Sequence, residues 1–213
     1  KGIMVQELER TRAKSPFPET APAAYPVFYR TYSRRHEGGR REAWQDVCDR
    51  TLKGLVELGK LTNAERDLVS KMQRDLKAMP SGRWLWVGGT EWSKSPKNFS
   101  GAYNCTSTNV VDWKAFGLMM DLAMMGCGTG AVLEPKYIIQ LPTIRNKITV
   151  IMRGMVGMTI ESQRREEAEI KVDAVNNRVE IIAGDSRQGW VKSYQTLLEL
   201  STDERFDRRR SDC

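Results

Sequence analysis

At Pro80 the pattern of the chain changes, and that change limits the fold more than any other feature. Before it, apolar residues recur at helical spacing. After it come short apolar or β-branched runs separated by glycine turns. A chain patterned this way reads as a helical front followed by mixed α/β structure. The junction, Met79-Pro80-Ser81-Gly82-Arg83-Trp84-Leu85-Trp86-Val87-Gly88-Gly89-Thr90, leads on to Tyr103-Asn104-Cys105. A solvated linker would not hold several apolar side chains between two turns. The run suggests a backbone cradle for an anion, with a reactive sulfur further along.

In front of the junction, residues 1–24 read as loosely structured, with a short helix over Met4–Arg12 ended by prolines. The aromatic-rich Tyr25–Tyr32 is expected to anchor to a core, and His36–Gly39 to turn. From Arg41 to Leu58, Trp44, Val47, Cys48, Leu52, Leu55 and Val56 form one stripe. Cys48 within it reads as a buried structural thiol. Gly59-Lys60 closes that helix, and Thr62-Asn63-Ala64-Glu65 is a capping box for the next. The second helix is expected to reach Ala78, with Leu68, Val69, Met72 and Leu76 inward. The two make a helical hairpin.

Behind the junction, Trp84–Val87, Thr106–Val111, Lys147–Met152 and Arg178–Ile182 are strand candidates. Trp113–Met125 returns to helix. Gln163–Glu169 is a charged helix or loop. Gly184–Trp190 introduces a last helix, capped by Asp185 or Ser186. The expected domains are residues 1–79, mainly helical, and 80–213.

Of 213 residues, 40% are hydrophobic and 29% charged, which suits a soluble globular protein with a real core. No apolar run reaches the ~20 residues that cross a bilayer. The start lacks a signal-peptide pattern, so a cytoplasmic location is expected. Thirty-four Lys and Arg against 27 Asp and Glu leave a net charge of +7, which favours anionic partners without choosing among them. The four cysteines, Cys48, Cys105, Cys127 and Cys213, show no zinc spacing, and His36 is the only histidine. No metal site is expected. Cysteine chemistry here would be redox or radical chemistry. Cys105 lies outside any apolar stripe, beside Asn104 and ahead of threonines and serine, and is the candidate for an accessible thiol.

Gly126-Cys127-Gly128-Thr129-Gly130 follows a helix and lacks the Lys-Ser/Thr of a P-loop, so it reads as a tight helix-to-strand turn. The alternative is that its small residues let a substrate approach the backbone. Ser81 and Gly82 offer a hydroxyl and an open N–H to an anion, or simply a common turn.

Taken in order, these pieces resemble the N-terminal part of an adenosylcobalamin-dependent (class II) ribonucleotide reductase, of the monomeric ribonucleoside-triphosphate reductase type. The resemblance is carried by Tyr29-Arg30-Thr31-Tyr32-Ser33-Arg34, Pro80-Ser81-Gly82-Arg83-x-Leu85-Trp86 and Gly89-Thr90. It continues through Asn104-Cys105, Gly126-x-Gly-x-Gly130 and Gly184-Asp185-Ser186-Arg187-x-Gly189-Trp190. It implies a helical N-terminal domain followed by the first part of a ten-stranded α/β barrel with an effector-site insertion. It implies replacement of a ribonucleotide 2′-hydroxyl by hydrogen through thiyl-radical chemistry, with adenosylcobalamin as cofactor. The implied partners are a ribonucleoside triphosphate substrate, a deoxynucleotide effector and a thioredoxin-like reductant.

By the same resemblance Cys105 is one of the reducing cysteine pair. Ser81, Asn104 and Gly128 contact substrate, and Asp112, Asp185 and Arg187 contact effector. Asp112 reads in preference as the N-cap of the helix that begins at Trp113. The family's Asn-Pro-Cys-Gly-Glu segment, its second reducing cysteine and its C-terminal dithiol have no match here, and Cys127 stands where the family has glycine. The chain is therefore expected to be inactive alone, as a truncation, a split-gene product or the portion before an intein, completed by a C-terminal chain. The competing reading is a non-catalytic basic module for nucleotide or nucleic acid, resting on the net charge, Tyr25–Tyr32 and Arg208-Arg209-Arg210. The resemblance implies no nucleic-acid and no membrane partner.

Overall fold

The structure is a computed structural model describing residues 16–206. The expected helix over Met4–Arg12, the Arg208–Arg210 run and Cys213 lie outside the described residues. The chain forms two compact units, one up to Ala102 and one from Tyr103 onward.

The first unit is helical. Pro22–Ala24 makes a 3-10 turn that runs into α1, Tyr25–Val27, and a π-type turn, Phe28–Tyr32. The expected anchoring is seen. Phe28 packs edge-on to Trp44 at 5.6 Å between ring centres, and Phe17 lies 5.0 Å from Phe28. These rings join Val47, Cys48 and Leu85 in one core. The turn at His36 closes through the Gly39 N–H bond to the His36 carbonyl, 2.8 Å. Helix α2, Trp44–Gly59, buries Trp44, Val47, Cys48, Thr51 and Gly54. Its first turn is fastened by the Asp46 carboxylate, which accepts from the Ala43 N–H at 2.8 Å. Lys60, with φ of 49°, takes the left-handed position after it.

Helix α3, Asn63–Arg74, starts at the expected capping box. The Glu65 N–H donates to the Thr62 hydroxyl, and the Thr62 N–H donates back to the Glu65 carboxylate at 2.8 Å. It ends before Ala78. Leu76 adopts φ of 56°, the Lys77 N–H reaches the Met72 carbonyl at 2.8 Å, and the Leu76 N–H reaches Gln73 at 3.1 Å. This is a Schellman motif, which stops the helix ahead of Pro80 and turns Leu76 onto the aromatic core. Leu68 and Met72 face outward, contrary to the expected stripe, and Gln73 is the buried residue. Its amide donates to the Thr51 hydroxyl at 2.7 Å, so a polar bond occupies the middle of the hairpin.

Gly82–Val87 is helix α4 and not the expected strand. A four-residue apolar run cannot distinguish the two by period. Here the Ser81 hydroxyl caps the segment, and the Trp84 indole N–H bonds the Thr51 carbonyl at 3.1 Å. A short helix, α5, Glu91–Lys94, follows after Gly89 turns the chain with φ of 73°.

The second unit opens with a βαβ arrangement. Strand β1, Cys105–Asn109, pairs in parallel with β2, Gly128–Val132, and α6, Trp113–Met124, is the crossover. The glycine run therefore divides. Gly126, with φ of 83°, makes the turn, while Gly128 and Gly130 sit in the strand. After α7, Pro135–Ile138, Lys147–Met152 forms no strand despite its β-branched residues. It has no ladder partner and instead lines a cleft of about 940 Å³ beside Trp190, Tyr194 and Leu197.

Strand β3, Glu169–Asp173, was hidden in the sequence by its charges. It pairs antiparallel with β4, Arg178–Ile182, which is where the sequence places it. Helix α8, Arg187–Leu200, is capped by Ser186, whose hydroxyl accepts from the Gly189 N–H at 2.9 Å. Helices α6 and α8 run antiparallel. Arg187 meets Asp121 at one end, Gly117 accommodates Gln195 in the middle, and Trp113 bonds Thr202 at the other end. No helix among the described residues is long and apolar enough to cross a membrane.

Candidate active site

Cys105 is the first residue of β1, and its side chain is exposed. In the parallel register it faces Gly128, whose N–H bonds the Asn104 carbonyl at 2.8 Å. A Cβ added to Gly128 would lie 3.6 Å from the Cys105 sulfur and 3.6 Å from the Asn104 carbonyl oxygen. The structure thus brings Asn104, Cys105 and Gly128 together. The alternation of β1 places Cys105, Ser107 and Asn109 on the exposed face and Thr106 and Thr108 on the half-buried one, where α6 packs.

The other described thiols are differently placed. Cys48 is 1% exposed in the aromatic core. Burial pushes its thiol up to about 12, with Arg74 opposing and Asp49 adding to the rise. Cys127 is buried with Leu122 and Met125, and its thiol bonds the Tyr103 carbonyl at 3.2 Å. It precedes Gly128, the partner of Cys105, so strand alternation directs it away from the Cys105 face.

Ser81 belongs to the first unit, as the N-cap of α4. Its hydroxyl oxygen accepts from the Trp84 N–H at 3.3 Å, which leaves its O–H free to donate elsewhere. The Tyr32 hydroxyl stands where a Gly82 side chain would begin, 2.8 Å from that position. The far end of α4 is held by Arg50, which sequence reasoning did not single out. Its guanidinium bonds the Gly88 carbonyl at 2.6 Å, the Leu85 carbonyl at 3.1 Å and the Glu42 carboxylate at 2.8 and 3.0 Å. Burial would raise the Glu42 pKa. The Arg50 bonds, the Arg34 N–H and the positive charge of Arg50 outweigh it and hold the carboxyl below its usual 4.5. Only a contact 35 to 38 residues away reveals this clamp, so no local signal marks it.

Asp112 caps α6, accepting from the Ala115 N–H at 2.8 Å. Asp185 is exposed and pairs with Arg164 at 3.2 Å, and Arg187 pairs with Asp121 at 3.1 Å. The structure does not gather these three. Arg187 meets the C-terminal part of α6, whereas Asp112 stands at its start.

Residues 5–90 match the family model of the ribonucleotide reductase alpha domain. An adenosylcobalamin-dependent ribonucleoside-triphosphate reductase of Lactobacillus leichmannii is 25% identical over 93% of this chain and 31% of its own length. A relative from Mycobacterium phage D29, described as a putative reductase of the same kind, is 24% identical over 84% of this chain and 26% of its own. The crystal structure of a B12-dependent (class II) ribonucleotide reductase superposes with a TM-score of 0.60 at 19% identity, covering 87% of this chain and 30% of that one. The chain spans less than a third of the length of each of these relatives. The resemblance carried by the motifs is therefore met in sequence and in fold, and over most of its length this chain is similar to the N-terminal portion of class II ribonucleotide reductases.

Proposed function

We propose that this chain is the N-terminal portion of an enzyme that reduces ribonucleoside triphosphates to 2′-deoxyribonucleotides, with Cys105 as one of its two reducing thiols. The observation that carries the reading is the exposed Cys105 thiol beside side-chain-free Gly128 on the polar face of a parallel strand pair. The reaction replaces C2′–OH by C2′–H and releases water, while two thiols become one disulfide. By the resemblance none of Cys48, Cys127 and Cys213 matches the second reducing cysteine, and among the described residues Cys48 and Cys127 are both buried, so the second thiol is assigned to polypeptide outside this chain. Adenosylcobalamin would supply the homolysis that starts the radical. It would be held mainly by parts of the enzyme outside this chain. The βαβ unit is read as the start of a ten-stranded barrel.

Within this reading Asn104 and Gly128 border the ribose, and the free O–H of Ser81 donates to a substrate phosphate. Asp112, Asp185 and Arg187, which this chain does not gather in one place, are each candidates for contact with a deoxynucleotide effector, and a thioredoxin-like protein reduces the disulfide. The test is Cys105→Ser in the complete enzyme. Multiple turnover with an external dithiol should be lost, since serine forms no disulfide, while Cys48→Ala should keep it. Turnover at the wild-type rate in Cys105→Ser would sink the reading.

A further inference from the structure

Resting on that reading, we propose that Ser107 is a further substrate-contacting residue, its hydroxyl bonding the sugar of a nucleotide lying on the Cys105 face. Ser107 is two residues beyond Cys105, so it shares that face, and it is exposed. Its partner across the pair is Gly130, which has no side chain. Cys105 and Ser107 therefore stand side by side over the bare backbone of Gly128 and Gly130. Neither Ser107 nor Asn109 has a side-chain hydrogen bond among the described residues.

Parallel strands are normally covered on both faces, and strands covered by protein read as runs of Val, Ile and Leu. Here α6 packs against the strand pair, and Thr106 and Thr108 on one face of β1 are half-buried. The opposite face presents a thiol, a hydroxyl and an amide, which an apolar layer would leave without hydrogen bonds. A ligand rich in hydroxyls satisfies them. The glycine floor lets such a ligand reach the backbone, and it also leaves space above Gly130 for a larger residue at position 107.

The test uses the complete enzyme and the four common ribonucleoside triphosphates, each titrated against iodoacetamide labelling of Cys105 read by mass spectrometry of its peptide. In the wild type at least one triphosphate should slow the labelling. Ser107→Ala and Ser107→Val should need a roughly fivefold higher concentration for half-protection, the scale of one lost hydrogen bond. Ser107→Thr, which matches valine in shape but keeps the hydroxyl, should protect like the wild type. The valine–threonine comparison holds even where alanine perturbs the strand, and circular dichroism checks each variant. Equal half-protection in Ser107→Val and Ser107→Thr would overturn the role of Ser107 and leave the reducing role of Cys105 standing. Absence of protection by every triphosphate in the wild type would overturn both.

Discussion

Two cysteines of this chain differ by their surroundings alone. Cys48 has no route to solvent, and its thiol is pushed up to about 12 by burial. Cys105 stands exposed at the start of a strand. Alkylation of the folded chain at mildly alkaline pH should therefore mark Cys105 before Cys48, with Cys48 labelled only on unfolding. Peptide mapping after timed labelling checks this, and early labelling of Cys48 would contradict the packing described. Glu42 makes a second prediction at this scale. Its pKa is lower folded than unfolded, so its charge stabilises the fold above the ordinary carboxylate value of 4.5. That contribution fades as pH falls from there through the lower folded value. Arg50→Ala leaves the nearly buried carboxylate without its main partner and should cost about 3 kcal/mol near neutral pH. It should also remove the loss of stability between those two values. Urea melts of both proteins at pH 7 and pH 4 measure the effect.

At the scale of elements, caps and turns set the boundaries. Thr62→Ala removes the acceptor for the Glu65 N–H and should destabilise the first unit by about 1 kcal/mol. Asp112 separates two roles. Asp112→Asn can still cap α6 and should leave stability nearly unchanged, whereas Asp112→Ala should lose about 1 kcal/mol. If Asp112 also serves an effector, Asp112→Asn in the complete enzyme should blunt the response of substrate preference to deoxynucleotides. A normal response would leave only the cap. The capping box and the β-branched run of β1 were legible because their signals are local. Helix α4 was not, since four apolar residues suit a strand or a helix equally, and the choice came from Ser81 and from Trp84 packing against α2. Lys147–Met152 failed in the opposite sense, since β-branched residues make no strand without a partner.

At the scale of the whole molecule, the basic reading and the reductase reading part on salt. Ion pairs such as Arg187 with Asp121 and Arg50 with Glu42 show that arginines are spent inside the fold. At roughly 0.15 M salt the chain should release DNA while still binding a nucleoside triphosphate. DNA retention without triphosphate binding would favour the basic module. The sequence by itself determined the helical front, the capping box, a strand next to Cys105 (expected over Thr106–Val111, formed over Cys105–Asn109) and the order of motifs that resembles the reductases. Each depends on spacing along a few consecutive residues. Only the tertiary structure decided which face of β1 carries the thiol, that Gly128 rather than Cys127 faces it, and that Arg50 holds the end of α4. These depend on register and on contacts between distant residues, and no local pattern encodes which partner a strand edge or a guanidinium will meet.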